Sequence, residues 1–246
     1  MPPHQDKPVT LARNVEDGFL TIRAFEGAII TRVLHDPNRS FSFEVTMKVQ
    51  HPRLVNAPKP PMHFHHVQVE YLRCLEGVLC LDMNGTELVL RPDDGEITIH
   101  RDVHHRTYPH GGVSLGLEPT NTSQRDPVVR FLLSAEHSPQ PFQLDLAFFE
   151  NWYAYQEKVV LGGSRLDMIQ VLSIFDAGGT YLSFPWWIPF RRSIARTLGI
   201  VLGRWVGGIL GYQPFYREWT TDWEQACQKM ETCVFQRRFS DRSKND

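Results

Sequence analysis

The sequence of 246 residues predicts an all-β domain followed by an α-helical extension, and a change in periodicity along the chain carries that prediction. Between residues 19 and 133 the chain consists of short alternating or β-branched runs, which are typical of an antiparallel sandwich or small barrel. After about His137 these runs stop, a proline-containing stretch follows, and apolar residues recur at helical spacing. We therefore expect a β domain over residues 1–138 and a helical extension over residues 139–246.

The individual elements follow from the same patterns. The candidate strands, in order, are FLTIRAF, GAIITRVL, FSFEVTMKV, VEYLRCLE, VLCLDM, ELVLRP, EITIH, VSLGLE and VVRFLL. Asn84 and Gly85 are the strongest hairpin signal, because a two-residue type I′ turn needs positive φ at both positions. The candidate helices span residues 144–160, 164–175, 193–212 and 220–239, with a break at residues 176–179.

Composition narrows the class of protein. The chain has 26 Lys and Arg against 28 Asp and Glu, so its net charge of -2 argues against a nucleic-acid binder. A hydrophobic fraction of 41% and a charged fraction of 22% are typical of a folded globular chain. The four cysteines form no Cys-x-x-Cys pair, and the N-terminal residues MPPHQDKPVT contain no apolar segment. We expect reduced thiols and a cytoplasmic protein.

Histidines are concentrated in one part of the β region. Of the 11 in the chain, those between residues 63 and 110 are His63, His65, His66, His100, His104, His105 and His110. Residues two apart on a strand point to the same face, so His63 and His65 can present two imidazoles to one ion. Glu70 adds a carboxylate. After the Asn84-Gly85 hairpin has turned the sheet back on itself, His104 or His105 supplies the third imidazole. The pattern predicts a site of three imidazoles and one carboxylate on a metal with open coordination positions.

The spacing of these residues resembles the first sequence motif of the cupin family. In that motif a His-x-His pair is followed by a glutamate and then by a glycine. Here His63 and His65 are followed after four residues by Glu70, and six further residues lead to Gly77. Ala57 stands where the family has its leading glycine.

The second cupin motif is matched more loosely, on the segment HRDVHHRTYP. In this alignment His105 takes the ligand position, and His104 is the alternative. The positions that depart from the family pattern hold Asp94, His100, Asp102 and Pro109. The resemblance covers residues 40–135 and implies a cupin jelly-roll barrel with a metal inside it. With the periodicity, it predicts an all-β cupin jelly roll followed by an α-helical C-terminal extension.

Three hypotheses for function follow from this resemblance and from the residues. We predict that the metal ligands are His63, His65, Glu70 and His105, with Glu70 and His105 also taking part in catalysis. Ligand type suits Fe(II), Mn(II), Ni(II) or Zn(II), and Fe(II) is preferred because open positions permit O2 chemistry. The apolar strands favour a lipophilic substrate, so the first hypothesis is a metal-dependent oxygenase or related oxidoreductase of specialised metabolism. The alternatives are a redox-neutral isomerase, cyclase or decarboxylase, and a non-catalytic ligand-binding cupin.

Residues 181–216 are unusual in composition. Glycines recur every four residues, at Gly199, Gly203, Gly207 and Gly211, so we expect them to share one helix face that approaches a neighbour closely. The preferred interpretation is a buried helix packed on the barrel or on a second subunit of a homodimer. The alternative is a peripheral membrane contact, because the segment is rich in tryptophan and arginine. Its apolar run, interrupted by Arg204, is shorter than the about 20 residues of a lipid-spanning helix.

Overall fold

The computed structural model describes residues 11–55, 57–110 and 128–243, which divide into two compact units. The β unit comprises the described residues within 13–64 and 69–137. The helical unit comprises residues 11–12, 65–68 and 138–243. The candidate strand VSLGLE lies outside the described residues.

The strands form two antiparallel sheets. Their bounds are Ala12–Glu16 (β1), Phe19–Ala24 (β2), Ile29–Leu34 (β3), Phe41–Lys48 (β4), His63–His65 (β5), Glu70–Glu76 (β6), Leu79–Met83 (β7), Thr86–Leu90 (β8), Glu96–Ile99 (β9), His105–Pro109 (β10), Val128–Ala135 (β11) and Thr180–Leu182 (β12). One sheet has the order β1-β2-β3-β4-β11-β6-β9 and the other has the order β12-β5-β10-β7-β8. Because the chain passes repeatedly from one sheet to the other, this order is that of a jelly roll and confirms the predicted fold.

Strand alternation explains which side chains enter the core of the β unit. On β4, Phe41, Phe43 and Val45 are buried while the residues between them are less so. The hairpin prediction is confirmed, since Asn84 and Gly85 have φ values of 52° and 87° and join β7 to β8.

The helices of the helical unit begin two to four residues from the expected starts and differ in length. Their bounds are Leu146–Val160 (α2), Met168–Ala177 (α3), Arg191–Leu198 (α4), Gly207–Leu210 (α5) and Trp223–Glu231 (α6); the short α1, Pro52–Val55, belongs to the β unit. Asp145 and Asp167 cap α2 and α3 by accepting backbone N–H bonds. A π-helical stretch, Gly199–Val206, joins α4 to α5, so the chain forms one continuous helix over Arg191–Leu210.

The predicted C-terminal ends of α3 and α6 are wrong. Helix α3 continues through residues 176 and 177, where a break was expected, and ends at Gly178. Helix α6 ends at Glu231 instead of continuing to residue 239. There the backbone N–H and the hydroxyl of Thr232 both donate to the Lys229 carbonyl, at 3.2 and 2.7 Å, which replaces the α-helical bond with a tighter turn.

The predicted row of glycines, which we call the glycine ridge, packs within the helical unit, against α3 and against Tyr181 of β12. A Cβ atom at Gly203 would lie 2.5 Å from the carbonyl of Leu172, and one at Gly199 would lie 2.9 Å from the ring of Tyr181. The expectation that the ridge includes Gly211 is wrong. Gly211 ends the helix with φ of 105°, a conformation that favours glycine, and a Cβ atom there would meet nothing within 4 Å.

Candidate metal centre

Two neighbouring strands bring three imidazoles together. Strand β5 carries His63 and His65, and β10 begins at His105, whose register partner on β5 is His63. The ring centroids of His63 and His105 are 4.5 Å apart. One ligand atom from each of His63, His65 and His105 lies within 4.8 Å of the other two. This spacing allows the three imidazoles to bind a single ion.

Hydrogen bonds hold the orientation of two of these rings. Nδ1 of His63 lies 3.0 Å from the carbonyl oxygen of Pro61, and Nδ1 of His105 lies 2.9 Å from that of Val103. A carbonyl oxygen only accepts, so each Nδ1 must carry the proton. In a neutral imidazole protonated on Nδ1, the lone pair is on Nε2, the nitrogen that is then able to bind a metal.

The third ring is held in the same way by a hydroxyl group. Nδ1 of His65 lies 2.9 Å from Oγ1 of Thr180, and the Thr180 hydroxyl donates to the Gly178 carbonyl at 3.2 Å. Because the hydroxyl proton is used in that bond, Oγ1 accepts from His65 and again leaves the lone pair on Nε2. Sequence reasoning missed Thr180, which lies on the short strand β12, far along the chain from His65 and in no recognised motif.

Glu70 lies beside this group but is not one of its three members. It is buried at the start of β6, and its Oε2 lies 2.8 Å from Nε2 of His105. Burial alone would lower the pKa of His105, but the hydrogen bond and the charge of Glu70 outweigh it, and the pKa is raised. The carboxylate can therefore hold a proton at the nitrogen of His105 or share a cation with it.

The other histidines of the cluster have different surroundings. The ring of His104, just before β10, packs edge-on against Phe64 with centroids 5.0 Å apart and so points away from the group that His105 joins. Nδ1 of His110 lies 3.3 Å from Sγ of Cys80. His66 lines a pocket of about 220 Å³ within the helical unit. Of His104 and His105, only His105 belongs to the three-imidazole group.

The donor set fits a divalent transition metal. Three imidazoles with hydrogen-bonded Nδ1 atoms, a carboxylate next to Nε2 of His105 and no thiolate match the preferences of Fe(II), Mn(II), Ni(II) and Zn(II). The residues that would hold the ion are His63, His65 and His105, with Glu70 adjacent. The hydrogen-bonded Nδ1 atoms would keep the rings in place for it.

Comparison with known proteins places the chain in a family. No protein-family model matches it. An oxidoreductase of Arthrobotrys oligospora is 41% identical over 230 residues, which cover 92% of this chain and 87% of the relative. The epoxidase atD of Aspergillus terreus is 39% identical over 239 residues, which cover 92% of this chain and 71% of the relative.

Solved structures include a cupin domain from a transcriptional regulator of Enterobacter cloacae. It matches 45% of this chain and 97% of its own with 15% identity and a TM-score of 0.30. The strand order, not this likeness, establishes the jelly roll. The identity and coverage of the curated relatives establish the family. The chain therefore belongs to the family of fungal oxidoreductases that includes these two relatives, and it is built as a cupin jelly roll followed by a helical extension.

Proposed function

We propose that this oxidoreductase is an Fe(II)-dependent oxygenase that acts on a lipophilic small molecule in specialised metabolism. The observation that carries the proposal is the group of three imidazoles, each with Nδ1 engaged in a hydrogen bond and each with a ligand atom within 4.8 Å of the other two. Fe(II) bound by such a group supplies the chemistry of dioxygen activation.

The comparisons support an oxygenase more than the redox-neutral alternatives. The relatives are named oxidoreductases, and one of them is named an epoxidase, an activity that adds an oxygen atom to a substrate. The chain also lacks the G-x-G-x-x-G sequence that binds nicotinamide or flavin dinucleotides. A metal is therefore the redox centre that its residues favour.

The surroundings of Glu70 favour an apolar substrate. Leu72 follows two residues later on the same face of β6, and Ile99 is the register partner of Glu70 on β9. Both side chains are buried. Apolar neighbours exclude water and strengthen the hydrogen bond between Glu70 and His105. Apolar surroundings of this kind suit an aromatic, terpenoid or polyketide-like molecule better than a free sugar.

Metal content is the first test. The double variant His63→Ala with His65→Ala should lose the bound metal, whereas His66→Ala should retain it. His66 is a matched control because it neighbours the pair but lines a different pocket. Elemental analysis of the three purified proteins, with circular dichroism to check folding, decides this. Wild-type metal content in the double variant would refute the metal site.

Oxygen uptake is the second test. The metal-free protein is reloaded without oxygen with Fe(II), Mn(II), Ni(II) or Zn(II) and then mixed with a panel of lipophilic substrates and dioxygen. We expect substrate-dependent oxygen consumption with Fe(II) and an oxygenated product by mass spectrometry. A product isomeric with its substrate, formed without oxygen uptake, would instead assign a redox-neutral isomerase or cyclase.

A further inference from the structure

The helical unit exposes an aromatic and aliphatic surface, which we call the apolar face. Three of its residues precede the long helix: Trp186 is 83% exposed, Trp187 is 68% exposed and Phe190 is 83% exposed. The others lie on the helix itself and are Ile194, Leu202, Trp205, Ile209 and Leu210. So many large apolar side chains in one exposed segment indicate an interaction surface.

The Arg191–Leu210 helix has two different sides. Its glycine side is held against α3, where Gly203 meets the backbone of Leu172 and Arg204 forms two bonds of 2.5 and 2.9 Å with the buried Asp176. The exposed residues at positions 194, 202, 205 and 209 recur at helical spacing and form a stripe. The helix is long and apolar enough to cross a membrane. Only 28% of its apolar stretch is buried, whereas the core helix of a soluble protein is mostly buried. With one side packed and the other apolar, it has the character of a helix lying in a membrane interface.

The charged residues of the segment that carries the apolar face all have one sign. Between Asp176 and Glu218 the sequence contains no acidic residue. The arginines in this interval are Arg191, Arg192, Arg196, Arg204 and Arg217. Arg192 and Arg196 are exposed close to the aromatic residues. Basic residues next to exposed aromatic residues complement the phosphates of anionic lipids.

The backbone holds one of these aromatic residues outward. Phe190, at the N-terminal end of the helix, has φ of 54°, in the left-handed region that a bulky side chain rarely adopts. Such strain is retained where the surrounding structure or a function requires it. At Phe190 this backbone strain accompanies an aromatic residue that is 83% exposed.

We propose that the apolar face binds the surface of an anionic phospholipid bilayer. Trp186, Trp187 and Phe190 enter at headgroup level, and the exposed Arg192 and Arg196 contact the lipid phosphates. A second copy of this chain fits the apolar face less well than a bilayer does. A two-fold symmetric contact would place these arginines next to the same arginines of the other copy, and the segment has no acidic residue to neutralise them. The proposal goes beyond the oxygenase function and does not depend on it.

Vesicle co-sedimentation of the full chain tests the proposal. The vesicles are phosphatidylcholine alone or phosphatidylcholine with about one-third phosphatidylserine, at low and at physiological salt. We expect binding to the anionic vesicles, weaker binding at higher salt, and little binding to the neutral ones. Replacing Trp186, Trp187 and Phe190 together by Ser should weaken binding about tenfold or more, and Arg192→Gln with Arg196→Gln should reduce its salt dependence.

Matched controls come from the same unit outside the apolar face. Val160 and Leu166 are exposed apolar residues and Arg165 is an exposed arginine, so the variants Val160→Ser with Leu166→Ser, and Arg165→Gln, should bind as the wild type does. Thermal melting and metal content show that each variant is folded. Absence of wild-type binding to anionic vesicles at low salt would overturn the proposal. So would a dimer, seen by sedimentation velocity, that the triple aromatic variant dissolves while vesicle binding is unchanged.

Discussion

Gly203 approaches Leu172 so closely that a Cβ atom on the glycine would lie 2.5 Å from both the carbonyl carbon and the carbonyl oxygen of the leucine. Real Cβ atoms do not come this near to backbone atoms, and the backbone of α3 cannot rotate away as a side chain can. The position therefore requires glycine, although glycine within a helix costs about 1 kcal/mol relative to alanine.

Gly203→Ala should accordingly destabilise the protein. The overpacking cost is about 1–3 kcal/mol or more and exceeds the gain in helix propensity. Gly207→Ala is the matched control, because its nearest neighbours lie 3.2 Å away and include a methyl group of Ile169. Urea unfolding followed by circular dichroism measures both. Equal stability of the two variants would contradict the close contact.

Thr180→Val should weaken metal binding while leaving the fold intact. The variant keeps the shape of the side chain but removes the oxygen that accepts the hydrogen bond from Nδ1 of His65. Loss of such a partner typically costs about 10–100-fold in metal affinity. Competition with a chelator measures the metal affinity. The variant Thr180→Ser keeps the hydroxyl and should have the wild-type affinity. Unchanged affinity in the valine variant would show that the hydroxyl does not position His65.

Glu70→Gln should reduce turnover more than metal content. Glu70 lies outside the group of three imidazoles, but its Oε2 contacts Nε2 of His105. A glutamine keeps the size of the side chain and removes its ability to take a proton, which typically costs about 10²–10⁴ in rate. Glu76→Gln, at the exposed end of the same strand, is the control. If the Glu70→Gln variant instead shows a larger loss of bound metal than of turnover, Glu70 is a metal ligand.

The cysteines should be unreactive in the folded protein at pH 8. All four are free and buried, and burial raises the pKa of the Cys80 thiol to about 11. At that pKa only about one Cys80 in a thousand is a thiolate at pH 8. Because the folded pKa is the higher one, the stabilising contribution of this thiol is present below about pH 9 and is lost as the pH rises through about 11. Ellman's reagent should label the four cysteines only in urea, and rapid native labelling of Cys80 would contradict this.

The short-range pattern of apolar and polar residues determined much of the fold of this protein. Alternation along the strands and the change to helical spacing after residue 137 were sufficient to predict an antiparallel β domain followed by helices, and the resemblance to the cupin motif identified that domain as a jelly roll. The same alternation places His63 and His65 on one face, and the dipeptide Asn84-Gly85 specifies its hairpin through its own backbone preferences. These features depend only on residues close together in the chain, so the sequence reveals them directly.

Tertiary structure decided the remaining features, because they depend on segments that meet only after folding. Whether His104 or His105 joins the imidazoles depends on where β10 begins and pairs with β5, and strand alternation alone allows either. Thr180 reaches His65 only because β12 and β5 belong to one sheet. Regular glycine spacing indicated a close approach, but only the folded chain brings the backbone of α3 to Gly203 and the ring of Tyr181 on β12 to Gly199.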